Sequence, residues 1–263
     1  MQICFSKYQG TGNDFILIDN RDKSFPSENI SLVEKICDRR FGIGCDGLML
    51  LENEEGYDFK MRYYNSDGKE GSMCGNGGRC IVAFAYHLGI IKDKTHFIAV
   101  DGEHDADLSF KNDQLIVSLQ MQNVGEIENG DDFYFLDTGS PHYTKFIHNH
   151  ERFDTYSEGK KIRFNERFKE TGTNVNFISG QNNQIQVSTY ERGVEDETYS
   201  CGTGVVASCI SAKLQFNTES NHFYIKTKGG NLEVFFDHKE NDKFENIWLK
   251  GPATFVFDGK LNI

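Results

Sequence analysis

The sequence predicts an α+β protein of two similar halves, each wrapping strands around one central helix. Three observations carry the prediction: a long internal repeat, short runs with apolar residues at alternate positions, and a helical stripe of apolar residues in each copy. The repeat is anchored by Met73-Cys-Gly-Asn-Gly77 and Ser200-Cys-Gly-Thr-Gly204, whose cysteines lie 127 residues apart (201 − 74). Thr11-Gly12-Asn13 and Thr138-Gly139-Ser140 keep that offset, as do the glycines closing His96-Phe-Ile-Ala-Val-Asp-Gly102 and His222-Phe-Tyr-Ile-Lys-Thr-Lys-Gly229. Anchors at nearly one offset and in one order mark two copies of a single unit. The join falls near Asn123-Val-Gly-Glu126, which gives expected domains of 1–122 and 123–263. The segment Gly251-Pro-Ala-Thr-Phe-Val-Phe257 is expected to return to the first half.

Along the chain, Pro26-Ser27 ahead and Gly42 behind signal a helix within residues 28–40. Gly42-Ile-Gly-Cys-Asp-Gly47 matches G-x-G-x-x-G literally. It follows a helix ending in Asp38-Arg-Arg40, whereas a dinucleotide site needs strand, turn and helix in that order, so it reads as a helix end and loop. Phe59, Met61 and Tyr63 alternate as in a strand with one buried face. A polar turn then leads to Cys74 and to a helix marked by Ile81, Phe84, Ala85 and Leu88, stopped by Gly89. In the second copy Ile185, Val187 and Thr189 give the strand, and Val206, Ile210 and Leu214 the helix, with Cys209 on or near the same face. The rest reads as short strands between Gly, Asn and Asp turns.

At 263 residues the chain has room for one or two domains and a real core. Its formal charge of −12 argues against phosphate backbones and anionic membranes as partners. No apolar run reaches the ~18 residues of a membrane span, and the first fifteen residues hold no apolar leader core, so a cytoplasmic location is expected. Seven cysteines are an odd number for a disulfide framework, so each is read as core filler, ligand or reagent.

Cys74 and Cys201 each stand at the start of a predicted helix, in Cys-Gly-x-Gly. A helix N-terminus carries about half a positive charge and unpaired N–H groups, which lower the pKa of a thiol placed there and make the glycine loop a cradle for a carboxylate. If the halves face each other about a pseudo-twofold axis, two thiols flank one anion. That arrangement suits inversion of a carbon beside a carboxylate: a thiolate removes the proton from one face and a thiol returns one to the other. The N–H groups of Gly75, Asn76, Gly202 and Thr203 are placed to stabilise the enediolate that develops. Core packing explains Cys80 and Cys209 inside their helical stripes, but does not require cysteine at the same position of both copies. Cys4, Cys37 and Cys45 belong to no constellation.

Met73–Cys80 together with Gly12-Asn-Asp-Phe15, Tyr190-Glu-Arg-Gly193 and Ser200–Gly204 resembles the diaminopimelate epimerase family, and the likeness runs to the Gly-Pro-Ala-Thr near the end. The resemblance implies two pseudosymmetric lobes, each a strand-rich barrel around a helix, with the active site in the cleft. It also implies an enzyme, independent of PLP and of metal, that interconverts LL- and meso-2,6-diaminopimelate in lysine and peptidoglycan precursor synthesis, commonly as a homodimer. By the same resemblance Cys74 and Cys201 are the catalytic pair, His142 lies near the base, and Glu191 accepts from an ammonium. Arg192 clamps the distal carboxylate as a charged fork, and Asn13, Asn65 and Asn174 supply amide contacts. Two departures touch ammonium recognition: Ser140 stands where the family often has Asn, and Gly47 where some members carry Gln.

A proline-racemase-like isomerase on the same scaffold is the nearest rival, though Asn76 and the Glu191-Arg192 pair favour a substrate with a second charged end. A dithiol redox or anion-binding protein using the same cysteines is the rival from another class. Cys74 with Cys80, or His148 with His150, fits no common zinc spacing, and no metal site is expected.

Overall fold

The computed structural model describes residues 2–71 and 73–262. The chain divides into two compact units: one runs to Leu119 and takes in the C-terminal stretch from Gly251, and the other spans Gln120–Lys250.

In the first unit β1 (Gln2–Gly10) turns at Thr11 and Gly12, both at positive φ (52° and 88°), and pairs antiparallel with β2 (Asn13–Asp19). Helix α1 (Ile30–Cys37) follows, its first turn capped by the Asn29 side chain, which accepts from the Leu32 N–H. Next, β3 (Gly47–Glu52) lies parallel to β2, and β4 (Lys60–Asn65) antiparallel to β3. Helix α2 (Gly75–His87) comes next, then the meander β5 (Lys94–Ala99), β6 (Gly102–Lys111) and β7 (Gln114–Gln120).

The second unit repeats this plan. After β8 (Ile127–Asn129), strands β9 (Phe133–Asp137) and β10 (Pro141–Phe146) form the opening hairpin, followed by helix α3 (Thr155–Arg163). Then β11 (Asn174–Gln181) lies parallel to β10, and β12 (Gln184–Glu191) antiparallel to β11. A short β13 (Asp196–Thr198) precedes helix α4 (Gly202–Phe216), and β14 (His222–Thr227), β15 (Gly230–Lys239) and β16 (Lys243–Pro252) close the copy. The chain ends in β17 (Thr254–Asn262), antiparallel to β1 in the first unit.

The expected central helices are present. Every residue of α2 from Gly75 to Ala85 is buried, and α4 is buried from Val205 to Ala212, so the apolar stripes read from the sequence belong to helices covered almost all round. In the first unit the two faces of the sheet have separate tasks, set by the period of two along each strand. Ile16, Ile18, Leu48, Leu50 and Tyr64 pack with α1 residues Val33, Ile36 and Cys37. The opposite face, with Phe15, Met49 and Tyr63, is turned to α2. An added Cβ at Gly77 on α2 would touch Met49 Sδ at 3.3 Å and Cys74 Cβ at 3.6 Å. Helix α3 had no apolar period to announce it. Only Thr155 and Gly159 of it are buried, and its signal is the Asp154 cap, which accepts from the Ser157 N–H at 3.0 Å.

The G-x-G-x-x-G look-alike is the loop from α1 into β3, as its sequence context implied. It anchors the first unit instead. Gly44 O accepts from Lys7 Nζ, and Asp46 takes hydrogen bonds from Asn13 Nδ2 (2.6 Å) and Arg39 Nη2 (2.7 Å).

Candidate active site

In the first unit Cys74 is the N-cap of α2, in extended backbone and without a side-chain cap bond, and no acidic residue occupies the first turn. The positive end of the helix is therefore not neutralised by its own sequence. Cys74 Sγ lies 3.5 Å from Asn13 Oδ1, which also accepts from Asn76 Nδ2 at 3.4 Å. The amide orientations are fixed from both ends. Asp46 can only accept from Asn13, and Arg79 Nη2, which can only donate, holds Asn76 Oδ1 at 3.0 Å. Asn13 thus presents its oxygen to the sulfur. Beside it, Asp14 is held down to about 2: burial alone would raise it, but hydrogen bonds from Arg39 and Lys7 prevail. Asn65 ends β4 opposite Gly47, on the same face as Asn13.

Arg79 is the residue here that sequence reasoning passed over. It is fully buried, donates to Gly75 O, Asn76 Oδ1, Thr11 Oγ1 and Pro252 O, and makes no ion pair among the described residues. Burial pushes its pKa down, and negative charge on Cys80 or Cys74 acts in the opposite sense. The guanidinium therefore favours an anion at this helix start. The second copy has Val206 at the matching offset.

In the second unit Cys201 caps α4 in the same way, again with no acidic residue in the first turn. Its Sγ lies 3.4 Å from Thr203 Oγ1, and Thr203 O accepts from Thr138 Oγ1 at 2.9 Å. Ser140, Asn174 and Arg192 form one cluster. Ser140 Oγ accepts from Asn174 Nδ2 (2.9 Å) and Arg192 Nη2 (3.2 Å), and Asn174 Oδ1 accepts from the Arg192 backbone N–H (2.9 Å). Arg192 Nη1 donates to Thr171 O at 3.2 Å, and the exposed guanidinium has no carboxylate partner among the described residues. Ser140 in place of an amide thus holds the fork of Arg192. Glu191 ends β12, half-buried.

His142 is fully buried, and Gly204 of α4 makes room for it: a Cβ there would lie 3.3 Å from His142 Cε1. Asn176 donates to Nδ1 at 3.0 Å while its Oδ1 accepts from Thr189 Oγ1 at 2.9 Å, so Nε2 carries the proton. That nitrogen has no partner among the described residues. Burial, with the charge of Arg192 adding and the Asn176 bond opposing, pushes the His142 pKa down to about 3. His142 is a neutral donor at physiological pH. Because the folded pKa lies below the unfolded one, its neutral burial contributes fully above about pH 6.5 and is lost as pH falls toward 3. His142→Gln is expected to lose less melting temperature than the parent between pH 7 and 4.5, and equal losses by differential scanning fluorimetry would contradict this.

The sequence singled out Asn13, Asn65, Cys74, Gly75 and Asn76 in one unit; the structure brings Asn13, Cys74, Gly75 and Asn76 together at the start of α2 and puts Asn65 at the end of β4, on the sheet face of Asn13. Ser140, His142, Asn174, Glu191, Arg192, Cys201, Gly202 and Thr203 lie in the other, near the start of α4 and the ends of β10 to β12. Their supports Arg79, Asp46, Asn176 and Thr189 were not singled out. An isolated buried polar residue has no periodic signal in a sequence.

The fold is shared with solved structures at low identity. A PhzF-family phenazine biosynthesis protein of Bacillus anthracis superposes with a TM-score of 0.80 at 13% identity, covering both chains completely. A probable proline racemase from Agrobacterium radiobacter K84 superposes at 0.72 and 13% identity, over 99% of this chain and 93% of the other. Sequence relatives are far nearer. The diaminopimelate epimerase of Flavobacterium psychrophilum is 56% identical over 96% of this chain and 97% of its own length. That of Chlorobaculum tepidum is 40% identical over 97% and 99%. Fold, site and relatives together define an isomerase of the epimerase class. The family model for diaminopimelate epimerase matches residues 5–124 and 134–256. The chain belongs to the diaminopimelate epimerase family.

Proposed function

We propose that this enzyme interconverts LL- and meso-2,6-diaminopimelate, with Cys74 and Cys201 as the two groups that move the α-proton. One observation carries the reading: each unit presents a cysteine as the N-cap of a buried helix whose own first turn holds no acidic residue. The α-hydrogen of an amino acid is a very weak acid, so removing it requires fixed positive dipoles where the enediolate charge develops. The N–H groups of Gly75 and Asn76 at one helix start, and of Gly202 and Thr203 at the other, are such dipoles. Inversion then requires a thiolate on one face of the carbon and a thiol on the other, with roles exchanged in the reverse direction. In this scheme His142 lies near the base and Glu191 accepts from the substrate ammonium. Asn13, Asn65 and Asn174 contribute amide contacts, with Ser140 beside them.

Arg192 and Glu191 supply a cation and an anion for a second charged end, which supports diaminopimelate over a cyclic imino acid. The reaction places the enzyme in lysine and peptidoglycan precursor synthesis, acting in the cytoplasm. A homodimer is the expected form, and the exposed Phe255 and Phe257 of β17 support it.

In D₂O, LL-diaminopimelate is expected to give meso product carrying deuterium at Cα while unreacted substrate keeps its hydrogen in the first turnovers. Absence of deuterium in the product would reject the proton-transfer scheme and favour a dithiol redox role. Turnover of proline instead would favour the rival isomerase.

A further inference from the structure

The face of the first unit that carries Asn13 and Asn65 holds one more polar side chain, which the mechanism above leaves unused. Phe15 pairs with Gly47 across β2 and β3, Gly47 with Asn65 across β3 and β4, and Met49 with Tyr63. Parity therefore puts Tyr63 on the Asn13–Asn65 face, the one turned to α2 and Cys74.

The second unit is built on the same pairings, with His142 opposite Asn174 and Asn176 opposite Thr189. Gly47 thus occupies in the first unit the place that Asn174 holds in the second, and Tyr63 the place of Thr189. Where one copy offers an amide, the other offers no side chain.

The Tyr63 ring fills that space. A Cβ added at Gly47 would lie 2.4 Å from Tyr63 Cε2 and 2.8 Å from its Oη. A Cβ added at Gly71 would lie 3.2 Å from Tyr63 Cδ1 and Cε1, and 2.7 Å from Asn65 Nδ2. Phe15 meets the ring edge-on at 6.2 Å. Two glycines clear the way for one aromatic ring, whose hydroxyl end lies where a side chain at position 47 would begin, with Asn65 on the same face. The residue as a whole is only partly buried. A residue serving only the core would be buried like its neighbours Phe15 and Met49, both fully covered.

We propose that Tyr63 gives its hydroxyl to a charged group of the amino-acid substrate, standing in for the side chain that Gly47 lacks. The proposal deepens, and rests on, the reading of the enzyme as acting on diaminopimelate. It makes Gly47 and Tyr63 an interdependent pair: the ring is usable only while position 47 has no Cβ.

The test is steady-state kinetics with LL-diaminopimelate on the full-length protein, with α-hydrogen exchange followed in D₂O. Exchange by the parent enzyme checks the substrate reading by itself, and its absence would sink that reading and this one with it. Given exchange by the parent, Tyr63→Phe keeps the ring and removes only the hydroxyl. It is expected to raise KM roughly tenfold, as the loss of one hydrogen bond to a charged group does, with kcat within about threefold. An unchanged KM overturns the proposal whatever the stability.

Gly47→Gln alone is expected to lose most activity, because its side chain and the ring claim one space. Gly47→Gln combined with Tyr63→Ala is expected to recover a KM below that of Tyr63→Ala alone. A double variant no better than Tyr63→Ala would refute the exchange of roles between the two positions.

Discussion

Replacing either Cys74 or Cys201 by serine is expected to lower epimerisation by about 10²–10⁴-fold, the range that a positioned proton-transfer group contributes. Serine keeps the size and a hydroxyl, but as a base it is far weaker than a thiolate at neutral pH. Misfolding is excluded as the cause by the same local structure. Each cysteine sits at an N-cap in extended backbone and makes no side-chain cap bond, whereas serine is among the preferred caps. Melting temperatures of Cys74→Ser and Cys201→Ser are therefore expected to equal or exceed that of the parent. Normal turnover by either variant would remove that cysteine from the mechanism.

Arg192→Ala is expected to raise KM for diaminopimelate by about 10–100-fold, because a planar charged fork facing a carboxylate is lost. The fork is held ready by Ser140 Oγ and Thr171 O rather than by a carboxylate of the protein, so it need break no ion pair to meet its ligand. Arg192→Lys is expected to recover only part of the affinity, since a point charge cannot reproduce two parallel bonds. Because Arg192 is exposed, neither change should move the melting temperature by much. Kinetic constants untouched by Arg192→Ala would place the distal carboxylate elsewhere.

Much of the architecture was legible because it is written twice. Cys-Gly-x-Gly at one offset, with an alternating run before it and a helical stripe after it, needs only period and spacing to be seen. Helix α3 escaped because its residues face solvent nearly all round, leaving a single cap as its mark. In the candidate site, the groups that would touch substrate stood inside recognisable motifs. The groups that hold them carried no such mark of their role, even where they stood inside a motif. Arg79 lies in plain view between Gly78 and Cys80, yet only burial without a counter-ion makes it notable. Asn176 and Thr189 act through bonds between strands that a linear reading cannot pair. Gly47 could be seen to lack a side chain, but not that Tyr63 enters the space from another strand.

The pairing of β1 with β17 joins Gln2 to Asn262, so the first unit is finished only by a strand that follows the whole second unit in the sequence. The second unit is a continuous insert within it. During synthesis the insert can fold while the first unit still lacks a strand, leaving the β1 edge open to wrong pairing until β17 emerges. Bringing ends that far apart together is a non-local step of the kind that slows folding. A ribosome-stalled chain ending before Thr254 should thus show a protease-resistant insert flanked by a digestible first unit.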